Sequence, residues 1–245
     1  MNWDWQVFCK STITTELNPQ CFGSGGDVTY LQWMLSAWGW TLAVSALALM
    51  IAAMLGLAIG TLRTLPHKPL AWLAAAWTEL FRNVPVLVQV FLWYHVLPVL
   101  MPALRHVSSF WLASMALGLY TSARIAEQVR AGIQTLPVGQ KNAATAMGLT
   151  RWQSYRYVIL PQALRFVLPP LTSEAMNIVK NSSVAFAVSV TELTLFAMQA
   201  QEETARGMEI YAGVTLLYVV TALTVNRVLA WIETRTRVPG LLAVA

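Results

Sequence analysis

Charged residues are sparse in this chain, and the few that interrupt its apolar stretches have types and spacing that suggest work. Arg124, Glu127 and Arg130 recur at intervals of three. On a helix that spacing lets neighbours on one face pair, so they read as an internal ion-pair ladder. Farther on, Glu174, Asn177 and Asn181 stand at i, i+3 and i+7, flanked by Ser173 and Lys180. Such a stripe lines a polar path better than it faces hydrocarbon, and the cations Arg124 and Lys180 beside it would suit a carboxylate-bearing solute in transit. Both sets have a structural alternative, in which they only fix helix packing. No nucleophile and base pair accompanies them. His67, His95 and His106 are scattered without metal-ligand spacing, and no G-x-x-x-x-G-K-[ST] loop occurs. The chain is therefore expected to bind no metal or other cofactor and not to hydrolyse ATP by itself.

A second constellation suits docking. Asn142-Ala143-Ala144-Thr145-Ala146-Met147-Gly148 is followed, after nine residues, by Val158-Ile159-Leu160-Pro161. Small Ala143 and Ala144 let a short helix approach a partner groove, Gly148 permits a sharp bend, and Thr150 with Gln153 offers a capping box for the next helix. Pro161 then stops that helix or kinks the following one. Taken alone, the segment reads equally as a helix-turn-helix in an ordinary loop.

The elements that must hold these residues are membrane helices. Hydrophobic residues make up 57% of the chain and charged residues 11%, too apolar for an ordinary soluble domain of this length. A helix needs about 20 residues to cross roughly 30 Å of hydrocarbon. Leu35 to Gly60 supplies a first span, Val86 to Val99 a second bounded by Pro85 and Pro98, Ser108 to Ile125 a third, and Ile210 to Trp231 the last. Between Arg165 and Glu192, Pro169, Pro170, Glu174 and Lys180 weaken the apolar signal. Charge asymmetry asks for a crossing there. Segments 63 to 82, 130 to 165 and 227 to 237 carry 11 of the 16 Lys and Arg residues, whereas the other loops carry three, with seven acids. Positive loops stay in the cytoplasm, so five helices are expected, with the N-terminus outside and the C-terminus inside. The net charge of +5 then reflects cytoplasmic loops near anionic lipid and calls for no nucleic acid. The expected organisation is an external tail at 1–32, a transmembrane domain at 33–232 containing a cytoplasmic loop at 137–161, and a cytoplasmic tail at 233–245.

The tail lacks a basic leader and a continuous apolar core, so the first span is expected to serve as an uncleaved insertion signal. Cys9 and Cys21 both fall in it, as a pair in an oxidising compartment or as two free thiols. Gly23 to Gly26 reads as a flexible loop. Ala52, Gly56 and Gly60 form a close-packing face, best suited to a neighbouring helix of the same chain.

The Ala-Ala-Gly segment resembles the loop through which ABC importer permeases engage their ATPase, with Asn142 where the usual pattern has Glu and Val158 where it has Ile. Thr78 to Gln89, Ala123 to Gln134 and Val179 to Val184 are similar to the polar amino acid subfamily, the histidine/glutamine/glutamate-type permeases. Lys141-Asn142 and Arg82-Asn83-Val84-Pro85 look most like the glutamate/aspartate members. The resemblance implies an all-α integral membrane fold, a five-helix type I importer permease. It also implies an ATPase dimer that uses ATP and Mg, a second permease subunit, identical or homologous, and a periplasmic amino-acid-binding protein. Asn142, Ala143, Ala144, Met147, Gly148, Leu160 and Pro161 would then carry ATPase coupling, while Arg124, Glu127, Ser173, Glu174, Asn177, Lys180 and Asn181 border the substrate path. A permease for glutamine or a basic amino acid is the alternative. An ion-coupled secondary transporter is a further one, though segments 78–89 and 142–161 do not repeat. A membrane-embedded enzyme would want a His, Cys or Asp constellation at depth.

Overall fold

The stretch after Asp27 has neither charge nor proline as far as Leu62, and it forms one helix, α1 (Tyr30–Leu62). The computed structural model describes residues 3–23 and 27–236. The expected flexible loop at 23–26 and cytoplasmic tail at 233–245 therefore fall largely outside the described residues. After α1 come α2 (Lys68–Asn83), α3 (Val86–Phe91), α4 (Leu97–Leu100), α5 (Ser109–Gln134), α6 (Val138–Ala146), α7 (Arg151–Ser154), α8 (Leu160–Asn181), α9 (Leu193–Thr204) and α10 (Gly207–Thr236). Among the described residues there is no strand, only the isolated bridges Lys10 to Leu17 and Ser11 to Thr29.

Residues 30–62 and 207–235 are long and apolar enough to cross a membrane. Two bent pairs raise the number to four if each is one span: α2 with 86–100, bent by 104°, and 151–188 with α9, bent by 54°. The 26-residue α5 has the length, roughly 39 Å at 1.5 Å per residue, but is not among these candidates.

Two segments outside the expected spans are helical. Within 63–82, α2 starts with a proline in its first turn and buries Ala74 and Thr78, four residues apart, while Trp72, Leu73 and Leu80 stay exposed. Its apolar face is too short to register as a span, which hid it among the loop residues. Within 192–209, α9 buries Leu193, Phe196, Ala197 and Ala200. Glu192 caps it, its carboxylate accepting from the amides of Thr194 and Leu195.

Pro161 neither stops nor breaks its helix. A π-helical turn, Tyr155–Ile159, runs directly into α8, in which Pro161 is the second residue. A proline cannot donate to the carbonyl four residues back, and a widened turn relieves that clash. The same device precedes Pro98, with a π turn at Leu92–Val96. Pro98 thus lies inside a helical run rather than ending it.

The chain divides into two compact units: residues 1–48, 86–117 and 178–223, and residues 49–85, 118–177 and 224–245. In the first unit, the tail forms a 3-10 turn, Trp5–Cys9, started by the Asp4 side chain. Val7 is buried with Tyr30, Met34, Phe196, Ile210 and Val214. Lys10 Nζ donates to Asp4 Oδ2 at 3.2 Å, and this bond holds the Asp4 carboxyl below its usual pKa. Cys9 and Cys21 form a disulfide, with Cα atoms 4.1 Å apart. Purified, unfolded protein is accordingly expected to react with no thiol reagent until reduced and then to show two thiols. Two reactive thiols without reductant would contradict the pairing.

The second unit packs through small residues. A Cβ at Gly56 would lie 2.6 Å from Ile125, and one at Gly60 2.6 Å from the Ala126 carbonyl. The small face of α1 therefore serves contact with α5 inside the chain. Gly132 does the same between α5 and α8, where an added Cβ would lie 2.5 Å from Val167. α8 continues through Pro169 and Pro170.

Candidate functional site

The docking segment, the buried Glu174 and the half-buried Glu127 all lie in the second unit. α6 ends in a Schellman turn: the Leu149 amide donates to the Ala144 carbonyl at 3.1 Å, and the Gly148 amide to Thr145 at 3.0 Å. Gly148 takes φ +77°, the left-handed conformation the turn requires and glycine adopts without a side-chain penalty. Thr150 then starts α7 with a complete capping box, Gln153 returning to the Thr150 amide at 2.8 Å. From Arg151 onward the chain stays helical through the π turn into α8. The Tyr155 hydroxyl donates to the Thr64 carbonyl at 2.9 Å and so ties this segment to the turn that follows α1.

The two alanines do not act alike. Ala143 is exposed, as are Asn142, Gly148 and Pro161, and Leu160 is half-buried. Ala144 is only 2% exposed and packs inward. It is thus corrected from partner-facing to internal, because one helical step of about 100° carries the next side chain to another face. The apolar surface offered outward comes instead from Val138, Met147 at 81% exposure and Trp152 at 71%.

The ladder on α5 is also corrected, for it divides between two carboxylates. Arg124 does not pair with Glu127. Its guanidinium grips Glu174 of α8 with two bonds, Nε to Oε2 at 2.8 Å and Nη2 to Oε1 at 3.1 Å. Gln128, one turn along, adds a third from Nε2 at 3.0 Å. Glu174 is 4% exposed, so a buried charge is met by a fork of donors. Glu127 turns the other way, to Arg130 on its own helix, Arg63 beyond α1 and Arg82 of α2. The spacing of three permitted either pairing. The close approach of α5 to α8 at Gly132 supplied a better partner for Arg124.

The stripe on α8 separates by exposure. Glu174 is buried, Asn177 and Asn181 are half-buried, and Ser173 and Lys180 are exposed. Lys180, which belongs to the first unit, makes no ion pair among the described residues. Gln128 Oε1 is buried and without a hydrogen-bond partner among the described residues. Gln128, Arg63 and the Tyr155 anchor are not among the residues the sequence points to, and Arg82 enters there only through the family resemblance, not as a partner of Glu127. The four-residue step from Arg124 to Gln128, which places both on one face of a helix, is the signal that could find Gln128.

Residues 48–238 match the family of binding-protein-dependent transport system inner membrane components. The chain is 41% identical over 250 residues to the glutamate/aspartate import permease protein GltJ of Escherichia coli strain K12, covering 98% of this chain and 97% of that protein. It is 37% identical to the probable glutamine ABC transporter permease protein GlnM of Bacillus subtilis, covering 80% of this chain and 89% of that one. Among solved structures, a chain of an amino acid ABC transporter crystallised with histidines superposes with a TM-score of 0.74 at 33% identity, covering 84% of this chain and 95% of that one. A chain of the MetNI methionine ABC transporter in an inward-facing conformation shares the fold, with a TM-score of 0.74 over 85% of this chain and 98% of that one, at 22% identity.

Proposed function

This chain belongs to the family of binding-protein-dependent transport system inner membrane components, and from that premise we propose that it passes glutamate or aspartate through the inner membrane. It is a permease subunit of an ABC importer, a transport component rather than an enzyme. In the proposed cycle a separate ATPase dimer consumes ATP with Mg and grips α6, while a periplasmic binding protein delivers the amino acid and a second permease subunit completes the pathway. Five type I spans, with the N-terminus outside and the C-terminus inside, complete the reading, and the charge asymmetry of the loops supports it.

The observation that carries this proposal is the unbroken helical path from the Thr150 cap through the π turn into α8. Motion of α6 in an ATPase groove would be passed along that helix to Glu174, which α8 itself bears. Arg124 and the orphan Gln128 acceptor suit the two ends of an amino acid, a carboxylate for the guanidinium and an ammonium for the amide oxygen. Glu127 with Ser173 and Asn177 borders the path in the second unit, and Lys180 and Asn181 are proposed as path residues from their charge and polarity alone. Asn142, Ala143, Met147 and Gly148 form the coupling contact, with Leu160 and Pro161 joining it to α8 and Ala144 supporting it from within.

Two experiments bear on this directly. A cysteine at position 145 in a Cys-free background is expected to resist membrane-impermeant label applied from outside, and strong labelling would overturn the orientation. Lys180→Ala is expected to lower uptake about tenfold with the complex intact, the order of one lost charge-assisted contact. Normal uptake would remove Lys180 from the path.

A further inference from the structure

Two adjoining cavities beside the coupling segment are suited to the two halves of one lipid. The first is an open groove of about 570 Å³ along the end of α1, where Met54, Leu57, Ala58 and Leu62 form an apolar floor and Arg151 and Trp152 stand at the rim. That size falls in the range of about 300–1,000 Å³ typical of small-ligand clefts. α1 is long and apolar enough to span the bilayer, and with α1 in the membrane this apolar floor would face hydrocarbon. Arg and Trp are the side chains that settle at the headgroup level. The second cavity, about 340 Å³, shares Arg151 and Tyr155 with the groove and adds Lys141, Thr145 and Ser154. Ser154 is 5% exposed, and its hydroxyl lies buried with no hydrogen-bond partner among the described residues. Lys141 and Arg151 make no ion pair among the described residues, and positions 130–165 contain no acidic residue at all. Two unneutralised cations and an unused hydroxyl next to an apolar slot have the chemistry that a phosphate with an acyl chain attached calls for.

We propose that these cavities hold one anionic phospholipid, its phosphate between Lys141, Arg151 and Ser154 and one acyl chain along α1. Lys141 belongs to α6 and Arg151 and Ser154 to α7, so the lipid would join both sides of the Gly148 bend to the membrane. Leaflet composition would then set how firmly the coupling segment is held.

The test uses the full chain, purified with its partner subunits and placed in nanodiscs of phosphatidylcholine with phosphatidylglycerol, and reads the lipid retained by native mass spectrometry. Wild type is expected to retain phosphatidylglycerol over phosphatidylcholine. Lys141→Gln and Arg151→Gln should each weaken that preference about fivefold, the weight of one basic residue near an anionic surface, while Arg156→Gln, an exposed cation lining neither cavity, should leave it unchanged. Ala58→Trp, which fills the groove, should remove lipid retention. Equal retention of the two lipids, or an equal effect of Arg156→Gln, would overturn the site. Competition by inorganic phosphate together with indifference to Ala58→Trp would identify a free-anion site and also reject the lipid. Retention only when the ATPase is absent would give the groove to the partner protein, again against the proposal. Binding is measured without transport, so the transport reading and the lipid site fail separately.

Discussion

Replacing Gly148 with aspartate is expected to leave the chain inserted and folded while reducing uptake at least about tenfold, the factor that corresponds to 1.4 kcal/mol of lost docking. The fold itself has room for the change. A Cβ at Gly148 meets nothing within 4 Å, so the intrinsic cost is that of a left-handed residue, about 1 kcal/mol. The larger effect falls on the surface beside Met147 and Trp152, where a carboxylate would have to be desolvated when the partner closes over it. Gly148→Asn separates the two contributions, because asparagine tolerates the same φ and carries no charge. It should retain most of the uptake. ATPase copurification should fall with Gly148→Asp and hold with Gly148→Asn. Equal uptake by wild type and Gly148→Asp, with an intact complex, would mean that the partner docks elsewhere.

Removing Arg124 should give the largest loss of stability. Arg124→Ala leaves Glu174, whose side chain is 5% exposed, with Gln128 as its remaining donor. Stripping one partner from a buried ion pair costs about 3–5 kcal/mol. The Arg124 side chain is itself 41% exposed, so water replaces part of the lost contact and the lower end applies. A cost of about 3 kcal/mol lowers the Tm of a chain this size by roughly 6–12 °C. Glu174→Gln should cost less, since it removes the charge and keeps the shape. The double variant Arg124→Ala/Glu174→Leu should recover most of the loss, because no uncompensated charge remains. An unchanged Tm for Arg124→Ala would show that the pair contributes nothing to packing α5 on α8.

What the sequence revealed depended on whether the cause was local. α1 was legible because 33 residues without charge or proline leave few alternatives to a long apolar helix. The Thr150 and Gln153 capping box and the positive φ of Gly148 were legible because each is settled within a few residues. The partner of Arg124 was not, since a spacing of three on α5 is compatible with Glu127 and says nothing of Glu174 fifty residues away. Because a proline removes a donor, Pro161 is expected to stop one helix or kink the next, and Pro98 to bound a span. The π turns ahead of both absorb that loss, and no residue type announces a π turn. The burial of Ala144 is not legible in the sequence, because composition does not reveal which side of a short exposed helix packs inward.

On the proposed reading, an ATPase attached at residues 137–161 drives this permease. The most direct test is glutamate uptake into proteoliposomes that hold the chain with its partner permease and ATPase, supplied with the binding protein. Accumulation is expected to require ATP on the side of the coupling segment, to persist when ion gradients are collapsed, and to be lost with Gly148→Asp. Accumulation driven by an ion gradient without ATP would contradict it.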